Sequence, residues 1–586
     1  MNLIEINLSL QKIKKKEIPK NTEKKYIGGK GIGVKLLFDI LEPKLNPLDP
    51  DNLLIFGTGP ITGLGISGGE KLGAFFKSPQ TGIFGESYCG GYFAHYLKKT
   101  GYDFIVIKGV SKKPVYIFIE DERVEIKDAQ HLWGRDTFET EDTLREDHGK
   151  KFHVLSIGPA GENLVKYACI THAKGFLLGR TGGGTLMGLK KLKAIVVHGT
   201  KEIKIEKQDE LEKFKNDLNE KLRDLGVMTD GTPETLMLTQ YMGALPTRYW
   251  EEGEFDGAEE INIDSIKRKL NIRRRSCYGC IVACKNISEI KEGPYRGVKI
   301  SGPEYETLFA LGALCGNNNL ESIVKANELC NRLGMDTIST GNVIAFGMEC
   351  KRRGLLTQKD LDGVELDFGN HQAIIEMIER IAYRKGIGNI FAEGIKRASG
   401  KIRGSEEFAI HVKGLELPGY DPRATEAMSL SYVTSDRGAC HLRSTGYRPD
   451  IVGTIEGKAE WVKDLEDFYA VCDSMILCRF VTYPIMGPIL WDNLAQLYSI
   501  VTNRKVKKEN LVEKGERINN LCREFNVRED ITRKDDRLPD HFFKKPLKKG
   551  AYDGRVVSKK DFQRMLNGYY KLRKWNNRGE PSEDAI

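Results

Sequence analysis

The sequence predicts an α+β fold, and three features of its 586 residues point to it. Up to about residue 205, short apolar segments alternate with glycine-rich turns, which is the texture of sheets. From Glu206 the run Glu-Lys-Gln-Asp-Glu-Leu-Glu-Lys-Phe-Lys is charged and helix-periodic, and helical patterns dominate after it. The third feature is a tight triplet of thiols, Cys277, Cys280 and Cys284, just behind Arg273, Arg274 and Arg275. The expected division is a sheet-rich domain over 1–205, a helical domain over 206–404 and a second helical domain over 405–586.

Taken in order, strands are expected at 53–56, 104–107, 115–119, 154–157 and 194–197. Helices are expected near 33–40 and 91–100, and at 136–147, where acids come early. Glycines concentrate in Gly57-Thr-Gly-Pro-Ile-Thr-Gly-Leu-Gly65, Gly68-Gly69, Gly90-Gly91 and Gly179-Arg-Thr-Gly-Gly-Gly184. Such stretches serve as tight sheet turns or bring backbone amides close to a phosphate or cofactor. Beyond the change of texture, helices are expected at 307–314, 321–333, 343–352 and 373–384, with Gly334 and Gly386 as helix-ending glycines. The last domain should add helices at 427–434, 459–477, 490–501 and 511–525. The lysine-rich end from Phe542 reads as a surface-wrapping tail. No internal repeat or low-complexity segment is visible.

Composition bounds the function. The net charge of +9 is mild for this length and comes without a long basic block, which argues against nucleic acid and leaves room for an acidic protein partner. Twelve cysteines are far too few for a disulfide-stapled secreted scaffold, so a reducing compartment is expected. The opening MNLIEINLSLQKIKKKE places its lysines after the apolar residues, unlike a signal peptide, and no apolar run approaches a membrane span. The expectation is a cytoplasmic protein with no membrane contact.

The triplet has the spacing C-x2-C-x3-C, with which one loop and the first turn of a helix can aim three sulfurs at a common centre, as a cubane iron–sulfur cluster requires. A fourth ligand must then come from elsewhere. Zinc also accepts such a triplet, although zinc ribbons usually carry a second C-x2-C pair fifteen to twenty residues on, and none follows here. The order of spacings is the reverse of C-x3-C-x2-C, which sets aside radical chemistry with S-adenosylmethionine.

Many ordered motifs resemble the tungsten-containing aldehyde:ferredoxin oxidoreductases, nearly end to end. They include Gly28-Gly-Lys-Gly31, Lys77-Ser-Pro79, Cys89-Gly-Gly-Tyr-Phe93, Ser156-Ile-Gly-Pro-Ala-Gly-Glu-Asn163 and Met187-Gly-Leu-Lys190. Further on come Gly302-Pro-Glu-Tyr-Glu306, Gly334-Met-Asp-Thr337, Gly414-Leu-Glu-Leu-Pro-Gly-Tyr420 and Ser435-Asp-Arg-Gly-Ala-Cys-His-Leu-Arg443. The resemblance implies that the sheet domain covers two helical domains, with a bis-pterin tungsten (or molybdenum) cofactor at the three-domain interface. It also implies a [4Fe-4S] cluster beside the pterins, and Mg2+ bridging the pterin phosphates through backbone carbonyls.

The resemblance assigns the fourth cluster thiolate to Cys478; composition alone does not separate it from Cys472. Asn331 with Asp336, and Asp473, match the paired pterin motifs, although the family commonly has Asp at 331 and Gly at 476, where this chain has Ile. Lys71, Gly90, Gly91 and Arg180 are the implied cofactor-binding residues of the first domain. Lys71 stands in for a family arginine, and a point charge is a poorer bidentate partner than a guanidinium. Tyr88 also departs from the family, which can carry Asn there.

Glu306 matches the family's active-site glutamate, a general base if burial raises its pKa; without the resemblance it reads as an acid complementing a helix dipole. His441 matches a histidine near the metal that can donate to a carbonyl oxygen or shuttle a proton. Tyr420 is a candidate for orienting substrate. The implied activity is oxidation of a small aldehyde to the carboxylate with ferredoxin as acceptor, in a possible homo-oligomer or with accessory electron-transfer subunits. Two alternatives remain at this level: an aromatic-ring thioester reductase of the same family, and a cluster-bearing electron-transfer or scaffold subunit without a working pterin site.

Overall fold

The computed structural model describes residues 1–227, 230–447, 454–482, 487–582 and 584. Its first 198 residues build two six-stranded sheets. The first comprises β1 (Asn2–Asn7), β2 (Lys12–Glu17), β3 (Leu54–Gly57), β4 (Leu72–Lys77), β5 (Phe84–Cys89) and β6 (Phe104–Lys108), in the order β2-β1-β6-β3-β4-β5. The second comprises β7 (Val115–Glu120), β8 (Arg123–Asp128), β9 (His153–Ser156), β10 (Ile170–His172), β11 (Phe176–Leu178) and β12 (Leu192–His198), in the order β11-β10-β9-β12-β7-β8. The five strands expected from the sequence are β3, β6, β7, β9 and β12. They were legible because they are covered on both faces, as in the wholly buried Leu-Ile-Phe-Gly of β3, and so read as unbroken apolar runs. The outer strand β2, Lys-Ile-Lys-Lys-Lys-Glu, is almost entirely exposed, and its lysines keep that sheet edge from pairing with another chain.

Helices α1 (Gly29–Ile40), α2 (Phe93–Lys99) and α3 (Thr137–His148) accompany the sheets. After them come α4 (Gln208–Leu225), α5 (Tyr305–Leu311), α6 (Leu320–Leu333), α7 (Thr337–Arg352), α8 (His371–Ala382), α9 (Glu426–Thr434), α10 (Lys458–Met475), α11 (Trp491–Thr502), α12 (Lys508–Arg528) and α13 (Lys559–Arg573). The mixed α+β architecture, sheets first and helices after, is as the sequence predicts. Among the described residues no helix is long and apolar enough to cross a membrane.

Three expectations need correction. The thiol triplet lies in a loop, with no helical turn, between β13 (Leu270–Arg275) and β14 (Lys285–Ile290). These two strands and β15 (Lys299–Ser301) form a small antiparallel sheet inside the helical part. The charged Leu-Asn-Ile-Arg-Arg-Arg of β13 carries no apolar run by which to see it. The chain end is a core element: Phe562, Met565, Leu566, Tyr569 and Tyr570 of α13 are buried at helical spacing, and Arg573 is fully buried against Glu466 at 2.9 Å. Finally, α8 stops at Ala382, so Gly386, at φ 53°, belongs to the following turn and does not end the helix.

Candidate active site

Two helices end alike and converge on the sheets. After α6, Gly334 adopts the left-handed conformation (φ 77°), and the amides of Gly334 and Met335 both donate to Cys330 O, at 2.9 and 2.8 Å. After α10, Ile476 does the same at φ 65°, with Leu477 N–H reaching Cys472 O at 2.8 Å. Each end is seated on a Gly-Pro turn too close for a side chain. A Cβ on Gly158 would fall 2.5 Å from the Leu333 carbonyl oxygen, and one on Gly59 would fall 2.1 Å from that of Met475. The replacement of glycine by Ile476 therefore leaves the turn intact. Its left-handed backbone costs about 1–2 kcal/mol, offset by burying a side chain that is 1% exposed.

The cysteine loop lies against the glycines of the first sheet. Cys277 Sγ accepts the Gly91 N–H at 3.3 Å, and a Cβ on Gly90 would stand 2.5 Å from that sulfur. The structure thus places Gly90 and Gly91 at the thiol loop. Cys478 N–H donates to Gly68 O at 2.8 Å, and Ile281 N–H to Ser67 Oγ at 3.3 Å. Burial and then the Cys478 sulfur raise the pKa of Cys280 and Cys284; burial lifts Cys277 to about 11, with Cys478 and Cys280 adding to it. The four sulfurs share one environment. Cys472 is wholly buried within α10, and the charges that act on it are Arg479 and Asp473, with no contribution from the triplet. Among the described residues no three His, Cys, Asp or Glu side chains close on a single ion.

Beside the thiols is a cavity of about 370 Å3, lined among others by Lys71, Arg180, Glu306, Asp336, His441 and Asp473. Asp473 sits between Arg443 at 2.9 Å and Arg479 at 2.8 Å. Burial would raise its pKa, but Arg479 and Arg443 outweigh this and hold it at about 2. Arg443 also pairs with Glu86, which binds Lys30, so an ionic chain ties β5, α1 and α10 together behind the cavity. Asp336 caps α7 by accepting Ser339 N–H at 2.9 Å and lies 3.6 Å from Arg180 Nε. Asn331 is one step further back. Its Oδ1 accepts from Asn327, which lines the cavity, at 3.3 Å. Glu70 turns away, its carboxylate accepting the amides of Gly63 and Gly65, and leaves Lys71 to face the cavity.

Glu306 is the second residue of α5. Its Oε2 accepts Gly419 N–H at 3.0 Å, and its Oε1 lies 3.6 Å from His441 Nε2. Burial lifts the Glu306 pKa to about 8 against the Gly419 amide and Arg180. Burial, then Arg180, Arg437, Arg443 and Arg479, push that of His441 well below its ordinary value. At neutral pH a protonated carboxyl therefore faces a neutral imidazole, and the pair is not an ion pair. A helix-dipole role needs the carboxylate charged, which a pKa raised to about 8 disfavours. Glu304, at the start of the same helix, does fit a structural account, since Lys285 binds it at 2.7 Å. Tyr420 stacks on Tyr447 with ring centroids 4.1 Å apart, and its centroid is 5.7 Å from that of His441.

The sequence reading missed Lys30, Glu86, Arg437, Arg443 and Arg479. Lys30, Arg437 and Arg443 stood inside quoted motifs, so their signal was present. Glu86 and Arg479 carried none.

A sheet region over helix ends, a thiol loop and an arginine-walled cavity between them are the parts of a cofactor-dependent oxidoreductase. The chain belongs to the aldehyde ferredoxin oxidoreductase family: the family's N-terminal domain matches residues 3–199, and its domains 2 and 3 match residues 209–586. It is 39% identical to the tungsten-containing aldehyde ferredoxin oxidoreductase of Thermococcus kodakarensis, over 99% of this chain and 97% of that one. It is 32% identical to the aliphatic sulfonate oxidoreductase WOR-like subunit of Pyrococcus furiosus, over 100% and 96%. Its fold matches the active site complex BamBC of benzoyl coenzyme A reductase, solved with 1,5-dienoyl-CoA, at a TM-score of 0.87 and 24% identity, covering 100% and 95%.

The family implies a tungsten pterin and an iron–sulfur centre, and the residues present fit them. Arg180 Nε, Arg437 Nε, Arg443 Nε and Arg479 Nη1 are buried donors without a hydrogen-bond partner among the described residues, Arg180 Nε having only the Asp336 carboxylate at 3.6 Å. All four side chains line one cavity. Buried cationic donors left unmatched by protein acceptors suit an anionic group such as a pterin phosphate or dithiolene.

Proposed function

We propose that the chain oxidises a small aldehyde to its carboxylate at a tungsten (or molybdenum) bis-pterin centre, with electrons leaving through a [4Fe-4S] cluster to ferredoxin. The observation that carries this reading is the Glu306 and His441 pair, 3.6 Å apart, on the wall of the arginine-rich cavity. Cys277, Cys280, Cys284 and Cys478 would hold the cluster, supported by their shared environment. Asp336, Asp473, Arg180 and Lys71 would hold the pterins, with Asn331 behind them, and Gly90 and Gly91 would serve the cofactors from beside the thiol loop, supported by their contact with Cys277. A magnesium ion on the phosphates, a cytoplasmic setting and the division at 205 and 404 belong to the same proposal. The boundary near 205 is supported by the last strand of the two six-stranded sheets ending at His198, and the setting by twelve unpaired cysteines.

The reaction converts aldehyde and water to carboxylate, three protons and two electrons. The bound cofactor would accept the electron pair. Glu306 must take a proton from water or the hydrated aldehyde through Oε1, so it is active only when ionised. His441 Nε2, neutral and 3.6 Å away, is placed to hold the carbonyl oxygen or pass on the proton. A carboxyl with its pKa at about 8 is protonated below that pH, so kcat/KM should rise with pH to a midpoint near 8. A rate that is flat from pH 6 to 9 would separate Glu306 from the proton transfer.

Arg273 and Arg274 are exposed on β13 beside the thiol loop, whereas Arg275 is turned inward, donating to Ala173 O at 2.8 Å and lying 4.9 Å over the Phe176 ring. An acidic ferredoxin docking there would be steered by the outer two. Arg273→Glu with Arg274→Glu should slow ferredoxin reduction and flatten its salt dependence, while viologen reduction is unaffected. Equal loss with both acceptors would make the arginines supports of the loop. The whole reading is tested by metal analysis of protein purified without air: tungsten or molybdenum with four irons per chain supports it, and irons alone would leave a scaffold subunit.

A further inference from the structure

We propose that Cys440 is a buried thiolate that holds the Arg437 guanidinium on the cavity wall, a positioning residue for the site that carries Glu306 and His441. Cys440 has no exposed surface and directly precedes His441. Its sulfur accepts twice, from Arg437 Nη2 at 2.9 Å and from Leu442 N–H at 3.3 Å, and among the described residues it donates to nothing. Two N–H donors, one of them a guanidinium, converge on a sulfur that donates to none of the described residues, an arrangement that suits an anion. The other end of the Arg437 fork donates to Glu86 O at 2.6 Å, so the guanidinium is pinned between a strand carbonyl and this sulfur. Arg437 itself is 3% exposed, and its Nε, in a side chain that lines the cavity, has no partner.

A thiol flanked by arginines ionises readily, and a buried thiol without them does not. The contrast exists within this chain. Burial pushes up the thiols of Cys169, Cys315, Cys330 and Cys522, on none of which an arginine acts. It acts on Cys440 too, but Arg437 and then Arg443 outweigh it and bring that thiol below its ordinary value. The groups around the sulfur are Arg437 and Arg443 from its own loop, Glu306 from α5 and Tyr432 from α9, with Arg180 bound to the adjacent Ala439 O at 3.3 Å. An anion here does two things. It fixes Arg437 so that its free N–H meets whatever anion fills the cavity, and it makes ionising Glu306 harder. Cys440 thereby helps set the pH at which the proposed base works, without touching substrate.

The direct test is the infrared S–H stretching band of the holoenzyme. The difference between wild type and Cys440→Ser should show no S–H band lost, whereas Cys522→Ser should lose one. Arg437→Gln should gain a band, because the sulfur then takes up a proton. Loss of a band on Cys440→Ser, or no gain on Arg437→Gln, would overturn the thiolate. A second arm rests on the aldehyde-oxidising reading: Cys440→Ser should move the midpoint of the rising limb of kcat/KM to lower pH, by about one unit, at unchanged tungsten and iron content. An unmoved midpoint would overturn the positioning role. If no aldehyde is turned over at all, that reading fails while the infrared arm still decides the thiolate.

Discussion

Glu306→Gln should lower aldehyde turnover by about a hundred- to ten-thousand-fold, the usual worth of a general base, with tungsten, pterin and iron contents unchanged. Glutamine keeps the shape and the Gly419 N–H bond through its amide oxygen but cannot take a proton. The large effect is expected because the environment has prepared this one carboxyl: burial lifts it to about 8, so that once ionised it is a stronger base than an ordinary carboxylate. Carboxylates nearby are prepared differently. Asp473, at about 2 between two arginines, is a fixed charge, and Glu304 is tied to Lys285. Kinetics at several pH values, with metals measured on the same samples, decide the matter. A loss under tenfold would return Glu306 to a structural role.

Cys478→Ser should abolish the four-iron signal, while Cys472→Ser should leave it intact. Cys478 follows the left-handed turn at Ile476 and bonds through its amide to Gly68, which sets it at the thiol loop. Cys472 lies six residues earlier within α10, under the turn that ends it, and its sulfur packs in the core. Serine for a buried cysteine in a core costs some stability but no ligand. Iron content and the electron paramagnetic resonance of the reduced cluster are the readouts. A full signal in Cys478→Ser with loss in Cys472→Ser would reverse the assignment.

The strands that sequence reading found were those buried on both faces; β13 and β2 are short and charged, and their pairing rests on tertiary context. The chain end was misread because the lysines that flank α13 hide an apolar stripe starting at Phe562. Within the site, spaced motifs marked the thiols, Glu306, His441, Asp336 and Asp473. Local pattern did not reveal Glu86 or Arg479, whose partners lie far off in sequence or, as with Asp473, are met only once α10 ends. Nor did it reveal that burial raises the Glu306 pKa, since burial is a property of the folded chain. The Asn at 331, matched to a pterin motif where the family commonly has Asp, accepts from Asn327, and the Ile at 476 keeps the turn expected of glycine.

The central claim is that this cavity oxidises aldehydes, and the most direct measurement is aldehyde-dependent reduction of a viologen dye by the purified protein across an aldehyde panel. The account predicts that dye reduction requires an aldehyde and water, forms the matching carboxylate at one per two electrons, and vanishes in Glu306→Gln. Tungsten-loaded protein with a full cluster that reduces dye with no aldehyde, or does so equally well in Glu306→Gln, would contradict it.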